Sequence, residues 1–582
     1  MWASGRNRRK QFVLLIFFAS SGYLFIEQFY KTEYTPNWNV VLYDSFDAIA
    51  EILKDKSTFR EKPSVEKLFS WPAPTQPYKH PDDATDPKFS YFEVLPENQL
   101  VKNQFQQGNT LQLTIVAKNG RNERKRYGGD FFRVKLVTDN GATRELAQII
   151  DNNNGTYTVR LPLYFSGVAE LTVYLIHPSE AIDLLRRVTS TKKSPGLVFT
   201  GVFDNGEFVE HKECNMWLES VKTDGGVSSP EQRFCDFTHK KTKEPWFCIK
   251  PVNVDCNSQK DLTIQRNIDA GYYLDKSGLF TRGKNLRVLI GKPTRIVISP
   301  GTTRFPSLPR CIANEVSLTP PSPSGYFLND VWQSTHCAIR SINRNSDHID
   351  CLKNKRVYLF GDSTIRQWYS YYVPFGHLNK LGQLRMYFES ILGINTGVNL
   401  YEKEATKTVW EPRSAENKVI NTSIHFAAHG PPLQNGGDLQ SMPYIVDSLD
   451  NLEGGPGTVV AMTIGFHLLL YDPTVYVRRL QTIRDAVVRL LERSPGTLVV
   501  FKGLNTYEMD DVLHSQCCLS EWLALRYETI ARTIFKEVEG LVYVDTWDIS
   551  ASTQYMVKDS LHPDNRVIEN EMQVFLSFVC PT

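Results

Sequence analysis

A serine at a strand-to-helix break and a histidine near the carboxyl end are the residues of this 582-residue chain best placed to do chemistry. Residues 356–360 form a short apolar, aromatic-rich run, Gly361 supplies permissive backbone for a tight turn, and residues 364–372 keep helical spacing without glycine or proline. The pattern predicts a buried strand breaking sharply into a helix, with Ser363 lifted above the sheet edge. There its hydroxyl can meet a base, while amides at the helix start offer donors to an oxyanion. The same Gly361-Asp362-Ser363 run is also what an ordinary helix N-cap looks like. A second feature bears on the choice: Asp559 and His562 lie three apart and share a face of one turn. The Asp559 carboxylate can hold one imidazole nitrogen, so that the other takes the proton from Ser363. Pro563 restricts His562 to extended or turn geometry. Together these groups could carry acyl transfer through a covalent serine intermediate.

With an early Gly-Asp-Ser block and a late Asp-x-x-His block, residues 310–582 resemble the PC-esterase branch of the SGNH/GDSL hydrolase superfamily. Upstream, the run 127–134, from Tyr127-Gly128-Gly129-Asp130 to Val134, and the β-rich segment after it resemble a neurexophilin-type domain. The order of the halves resembles that of the neurexophilin and PC-esterase domain family. The resemblance implies two oxyanion donors from intermediate blocks, for which Gly430 and His467 are the candidates. His467 stands where asparagine is common, and still offers an N–H; either residue could instead be a buried histidine or a turn glycine. Arg366, one helical turn after Ser363, would hold a substrate carboxylate or hydroxyl, or pair with an acidic neighbour. His425 and His429 lie four apart without an acidic third ligand, so no metal site is expected.

The resemblance further implies a carbohydrate O-acetyltransferase, sialoglycans included, with no bound cofactor, acetyl-CoA as a candidate acyl donor, and a glycan or glycoprotein as acceptor. Two alternatives stay open: a carbohydrate acetyl-esterase using water, and a non-enzymatic secreted ligand whose β-sandwich binds a cell-surface protein.

The elements that must position these residues alternate after Arg356. Strand candidates at 357–360, 423–428, 459–463, 498–502 and 541–545 are interleaved with helical segments at 473–493 and 521–537. This predicts an α/β fold, a doubly wound parallel sheet with the site at the carboxyl ends of the strands. Earlier runs at 111–116, 131–137, 157–161 and 169–175 alternate as strands of an all-β immunoglobulin-like sandwich, with Tyr157 after the Asn153-Asn154-Gly155-Thr156 turn resembling a tyrosine corner. Arg121, Arg124, Lys125 and Arg126 between two strands read as a solvated hairpin loop, with contact to an anionic glycan as the alternative. The expected organisation is a signal anchor or signal peptide at 1–30, a proline-rich stem at 31–100, the sandwich with a cysteine-rich extension at 101–260, a β-rich connector at 261–310 and the catalytic domain at 311–582.

Charge is balanced, 66 Lys and Arg against 64 Asp and Glu for a net +2, which gives no reason to expect a nucleic-acid partner. Arg6, Arg8, Arg9 and Lys10 precede an uncharged apolar run at 12–26. This predicts a short signal anchor with a cytoplasmic N-terminus and a lumenal body, or a signal peptide cut near Ala19 and Ser21. Such an anchor with a stem resembles the layout of Golgi type II enzymes that modify glycans; a secreted product is the alternative. Sequons at Asn154 and Asn421 suit a lumenal chain. Ten cysteines divide into Cys214, Cys235, Cys248 and Cys256, then Cys311, Cys337, Cys351, Cys517, Cys518 and Cys580. Two sets of disulfides in an oxidising compartment are expected, with Cys517 and Cys518 each reaching a distant partner.

Overall fold

Alternating apolar residues in the first half become two facing β-sheets. The computed structural model describes residues 65–581, except 98–100, 140, 142, 190–196, 217–233, 267–276, 282–284, 303–306, 317–319, 374–395, 403–409, 434–436, 441, 470, 508–518 and 554–560. One sheet runs in the order Tyr91–Val94, Thr110–Val116, Thr156–Pro162, Gln148–Asp151, antiparallel throughout. The other has Phe131–Thr138 and Gly167–His177 at its centre, with Thr294–Ser299 on one side and Arg144–Leu146 on the other. Leu111, Leu113, Ile115, Val159 and Leu161 of the first meet Val134, Leu136, Leu171, Val173 and Ile296 of the second in one buried core, because strand residues two apart share a face.

The second sheet draws on chain from both sides of residue 310. Gln104–Gln106 pairs in parallel with Thr294–Ser299, and the hairpin of Gly325–Leu328 with Val331–Ser334 adds at the opposite edge through Arg144–Leu146. A third sheet, ordered Phe234–Asp236, Phe247–Ile249, Val209–Asn215, Leu197–Asp204, Gln259–Arg266, carries the disulfides Cys214–Cys248 and Cys235–Cys256.

Two expectations need correction. The stem reading does not hold for residues 65–97: Trp71 donates to the Gly129 carbonyl at 2.7 Å, and both Phe69 and Trp71 pack edge-on against Trp522. Buried aromatic anchors outweigh the local proline content there. The solvated hairpin reading fails at Lys125, which is buried and bonded to Glu180 and the Tyr127 hydroxyl, while Arg124 and Arg126 are exposed.

The second half builds on five parallel strands, β1 (Arg356–Phe360), β2 (Thr422–Ala427), β3 (Thr458–Met462), β4 (Leu498–Lys502) and β5 (Leu541–Val544), in the order β2-β1-β3-β4-β5. Arg413–Asn417 adds an antiparallel edge to β2. Helices α1 (Ser363–Tyr372), α2 (Pro473–Arg493), α3 (Glu521–Phe535), α4 (Thr546–Ser552) and α5 (Asn565–Val579) complete the layers, with α2 against α3 and α1 against α5. Their starts are capped by Asp362, Asp472, Ser520, Asp545 and Asp564, each accepting an early helical N–H that would otherwise lack a partner. The chain reverses direction across the sheet between β1 and β3, and such a switch point opens a crevice at the strand carboxyl ends.

Cys311–Cys337 and Cys351–Cys580 close the second half. Eight cysteines thus pair among themselves, within the two sets expected. Cys517 and Cys518, each expected to reach a distant partner, lie outside the described residues. Four disulfides suit an oxidising, secretory environment. Among the described residues no helix is long and apolar enough to cross a membrane; the run at 12–26 lies outside them. Asn154 and Asn421 are both exposed.

Candidate active site

The turn from β1 to α1 is forced by contact. Gly361 has φ +145, and a Cβ there would collide with the Thr463 carbonyl oxygen in the loop after β3. Its N–H donates to the Ala427 carbonyl at 3.0 Å, and Thr463 N–H donates to the Phe360 carbonyl at 3.0 Å, so the loops after β1, β2 and β3 are tied together. Asp362 caps α1 by accepting from the Thr364 N–H at 2.9 Å and its hydroxyl at 2.8 Å. Ser363 is the first helical residue, and its Oγ lies 2.6 Å from His562 Nε2.

His562 reaches this edge because the carbonyls on either side of it are held. Gln367, one turn after Ser363, donates to the Pro563 carbonyl at 2.9 Å, and Asn505, in the loop after β4, donates to the Leu561 carbonyl at 2.6 Å. Sequence reasoning missed both residues, since amides bonding to backbone carry no motif. Asp559 lies outside the described residues.

His467, in the loop after β3, bonds through Nδ1 to Nε2 of His429 at 2.8 Å. Burial holds the His467 pKa down to about 4; Asp362 works against this, while Arg366 and His562 add to it. The imidazole is therefore neutral at neutral pH and keeps one N–H. His429 is buried, and its pKa lies well below the usual imidazole range, through burial first and then His467 and Arg479. Arg366 stacks its guanidinium 4.3 Å above the Trp410 ring, which meets His467 edge-on at 5.2 Å. Gly430, at φ +83, backs onto the Tyr444 ring. His425 turns away, bonding Ser423 and stacking on Tyr358. The structure thus brings Ser363 and His562 into direct contact and places His467 and Arg366 around Trp410; Gly430 stands in the adjoining loop after β2.

Lys502, the last residue of β4, and Glu571 of α5 form a fully buried pair 3.7 Å apart, and the Trp368 indole of α1 donates to Glu571 at 2.7 Å. This pins α1 to α5, the helices that flank the serine and histidine.

These features define a class: an α/β protein with a serine–histidine pair at the carboxyl edge of a parallel sheet, joined to a disulfide-bonded half built mainly of β-sheets, with one helix at Ser179–Thr189. A family model described as Neurexophilin matches residues 56–263, and one described as the C-terminal domain of NXPE family member 4-like proteins matches residues 332–580. The chain belongs to the neurexophilin and PC-esterase domain family. Among solved structures it is similar to invasin, a bacterial integrin-binding protein, at 12% identity over 60% of this chain and 60% of that one, with a TM-score of 0.13. At that score the likeness carries no argument.

Proposed function

We propose that this protein is a serine-dependent acyltransferase of SGNH type acting on glycans, a carbohydrate O-acetyltransferase of the secretory lumen. The observation that carries the reading is the 2.6 Å contact between Ser363 Oγ and His562 Nε2 at the start of α1. Ser363 attacks the acetyl carbonyl of a donor such as acetyl-CoA while His562 accepts the hydroxyl proton. The tetrahedral oxyanion takes N–H donors from His467 and Gly430, and collapse releases the donor thiol with the proton from His562. A sugar hydroxyl then attacks acetyl-Ser363, giving its proton to His562 and leaving as the acetyl ester, with the serine regenerated. Asp559 orients the imidazole and stabilises its charged form. Arg366, held flat on Trp410, takes a carboxylate or hydroxyl of the glycan. The immunoglobulin-like half holds the acceptor glycoprotein or a cell-surface partner, and the basic, then apolar, N-terminus anchors the chain in the Golgi membrane.

The test measures acetyl transfer to glycan hydroxyls and hydrolysis of an activated acetyl ester. Ser363→Ala and His562→Ala should each lower both rates by about 10⁴-fold or more, and the double variant should be little worse, because the pair acts as one unit. Wild-type rates from Ser363→Ala would place the nucleophile elsewhere.

A further inference from the structure

The loop after β2 is gripped from the other half of the molecule. Glu244 lies between two strands of the disulfide-bonded sheet, and its carboxylate pairs with Arg479 of α2, both side chains being almost fully buried. Arg479 donates to the His429 carbonyl at 2.9 Å and to the Pro431 carbonyl at 3.0 Å, on either side of Gly430. His429 in turn bonds His467. The grip has a second finger: His239, from the same segment as Glu244, stacks 3.8 Å from the Tyr444 ring on which Gly430 rests, and bonds Asp447 at 2.7 Å. Cys235–Cys256 and Cys214–Cys248 brace the strands that flank both residues. A buried ion pair is weak evidence of stabilisation, since desolvation offsets much of its attraction. Here, however, the same guanidinium also donates to two backbone carbonyls of one loop, which fixes that loop's place.

We propose that Glu244 and Arg479 are positioning residues that hold the loop of His429, Gly430 and Pro431 and, through His429, set the imidazole of His467 at the Ser363 edge. The disulfide-bonded sheet of the first half is then a working part of the site in the second. This rests on the acyl-transfer reading above. Oxyanion donors act only when placed to within a fraction of an ångström, so a loosened loop loses rate rather than binding.

The experiment uses the full chain with an activated acetyl ester, covalent labelling by a fluorophosphonate, and thermal midpoints. Glu244→Gln, and the paired Glu244→Leu with Arg479→Met, are each made alone and in a His467→Ala background. The expected result is a fall in kcat of about 10- to 100-fold with KM within about twofold, and a clearly smaller further loss once His467 is gone, the remainder being the share that Gly430 carries. Should Glu244→Gln fail to fold, the paired variant decides, because replacing both charges leaves neither one buried alone. Unchanged kcat in a folded variant, or a full additional loss in the His467→Ala background, overturns the inference while acyl transfer stands. If neither variant folds, the contact is a fold determinant only, and the inference is likewise overturned. Wild type that neither turns over the ester nor takes label at Ser363 overturns the acyl-transfer reading and this inference with it.

Discussion

At Gly361 one hydrogen atom in place of a methyl group decides whether three loops can meet. Alanine there must hold φ +145 and displace the Thr463 carbonyl. We expect Gly361→Ala to cost about 1–3 kcal/mol in thermal stability and to abolish fluorophosphonate labelling of Ser363. Titration gives a second residue-scale prediction. His177 is fully buried, and burial first, then Arg287, holds its pKa down to about 3. Between pH 6.5 and 3 the unfolded chain therefore binds a proton that the folded chain refuses, so this group's share of stability is intact above pH 6.5 and is lost as pH falls. By pH 5 the loss is about 2 kcal/mol, and His177→Leu should lose that much less between pH 7 and pH 5 in denaturant titrations. Single residues were legible where a short motif carries them. Ser363 and His562 stand in such motifs; Glu244, Arg479 and Asn505 do not, because their partners lie far off in sequence. Lys125 was misread for the same reason: Glu180, which neutralises it, is 55 residues away.

Among the elements, strands and helices were legible because a buried face imposes its period on the chain. The runs read at 498–502 and 473–493 are the observed β4 and α2 to the residue, and Thr110–Val116 differs from its expected span by one position. Pairing was less legible, since alternation fixes which face is buried and says nothing about which strand lies alongside. The hairpin Gly325–Ser334 joins Arg144–Leu146, and no local signal marks that choice. The junction of β4 with α5 yields a prediction at this scale. Glu571→Leu leaves the Lys502 ammonium buried without its carboxylate and should cost about 3–5 kcal/mol, whereas adding Lys502→Met should recover most of the loss. Equal destabilisation in the single and double variants, measured by urea unfolding, would show that the pair is not coupled.

For the whole molecule, Cys351–Cys580 ties the helix before β1 to the end of α5, across a sequence separation of 229. Replacing both cysteines with serine should lower stability by about 2–5 kcal/mol, read as the loss in thermal midpoint under non-reducing conditions. The halves are joined by more than a linker. Trp332 N–H donates to Asn570 at 2.7 Å, Ser324 N–H to Asp548 at 2.7 Å, and Lys135 to the Thr553 carbonyl at 3.2 Å, beside the segment that leads to His562. One of these long-range joins bears on the order in which the protein is made. Gln104–Gln106 lies beside Thr294–Ser299, so roughly 190 residues must be translated after the first strand before its partner exists. At about 5–20 residues per second, that strand leaves the ribosome and waits roughly 10–40 s with its backbone unpaired. The first half of this protein cannot complete its second sheet until the chain has been made through Ser299 and the hairpin Gly325–Ser334, and a nascent chain halted near residue 260 should display an open sheet edge to the chaperones of its compartment.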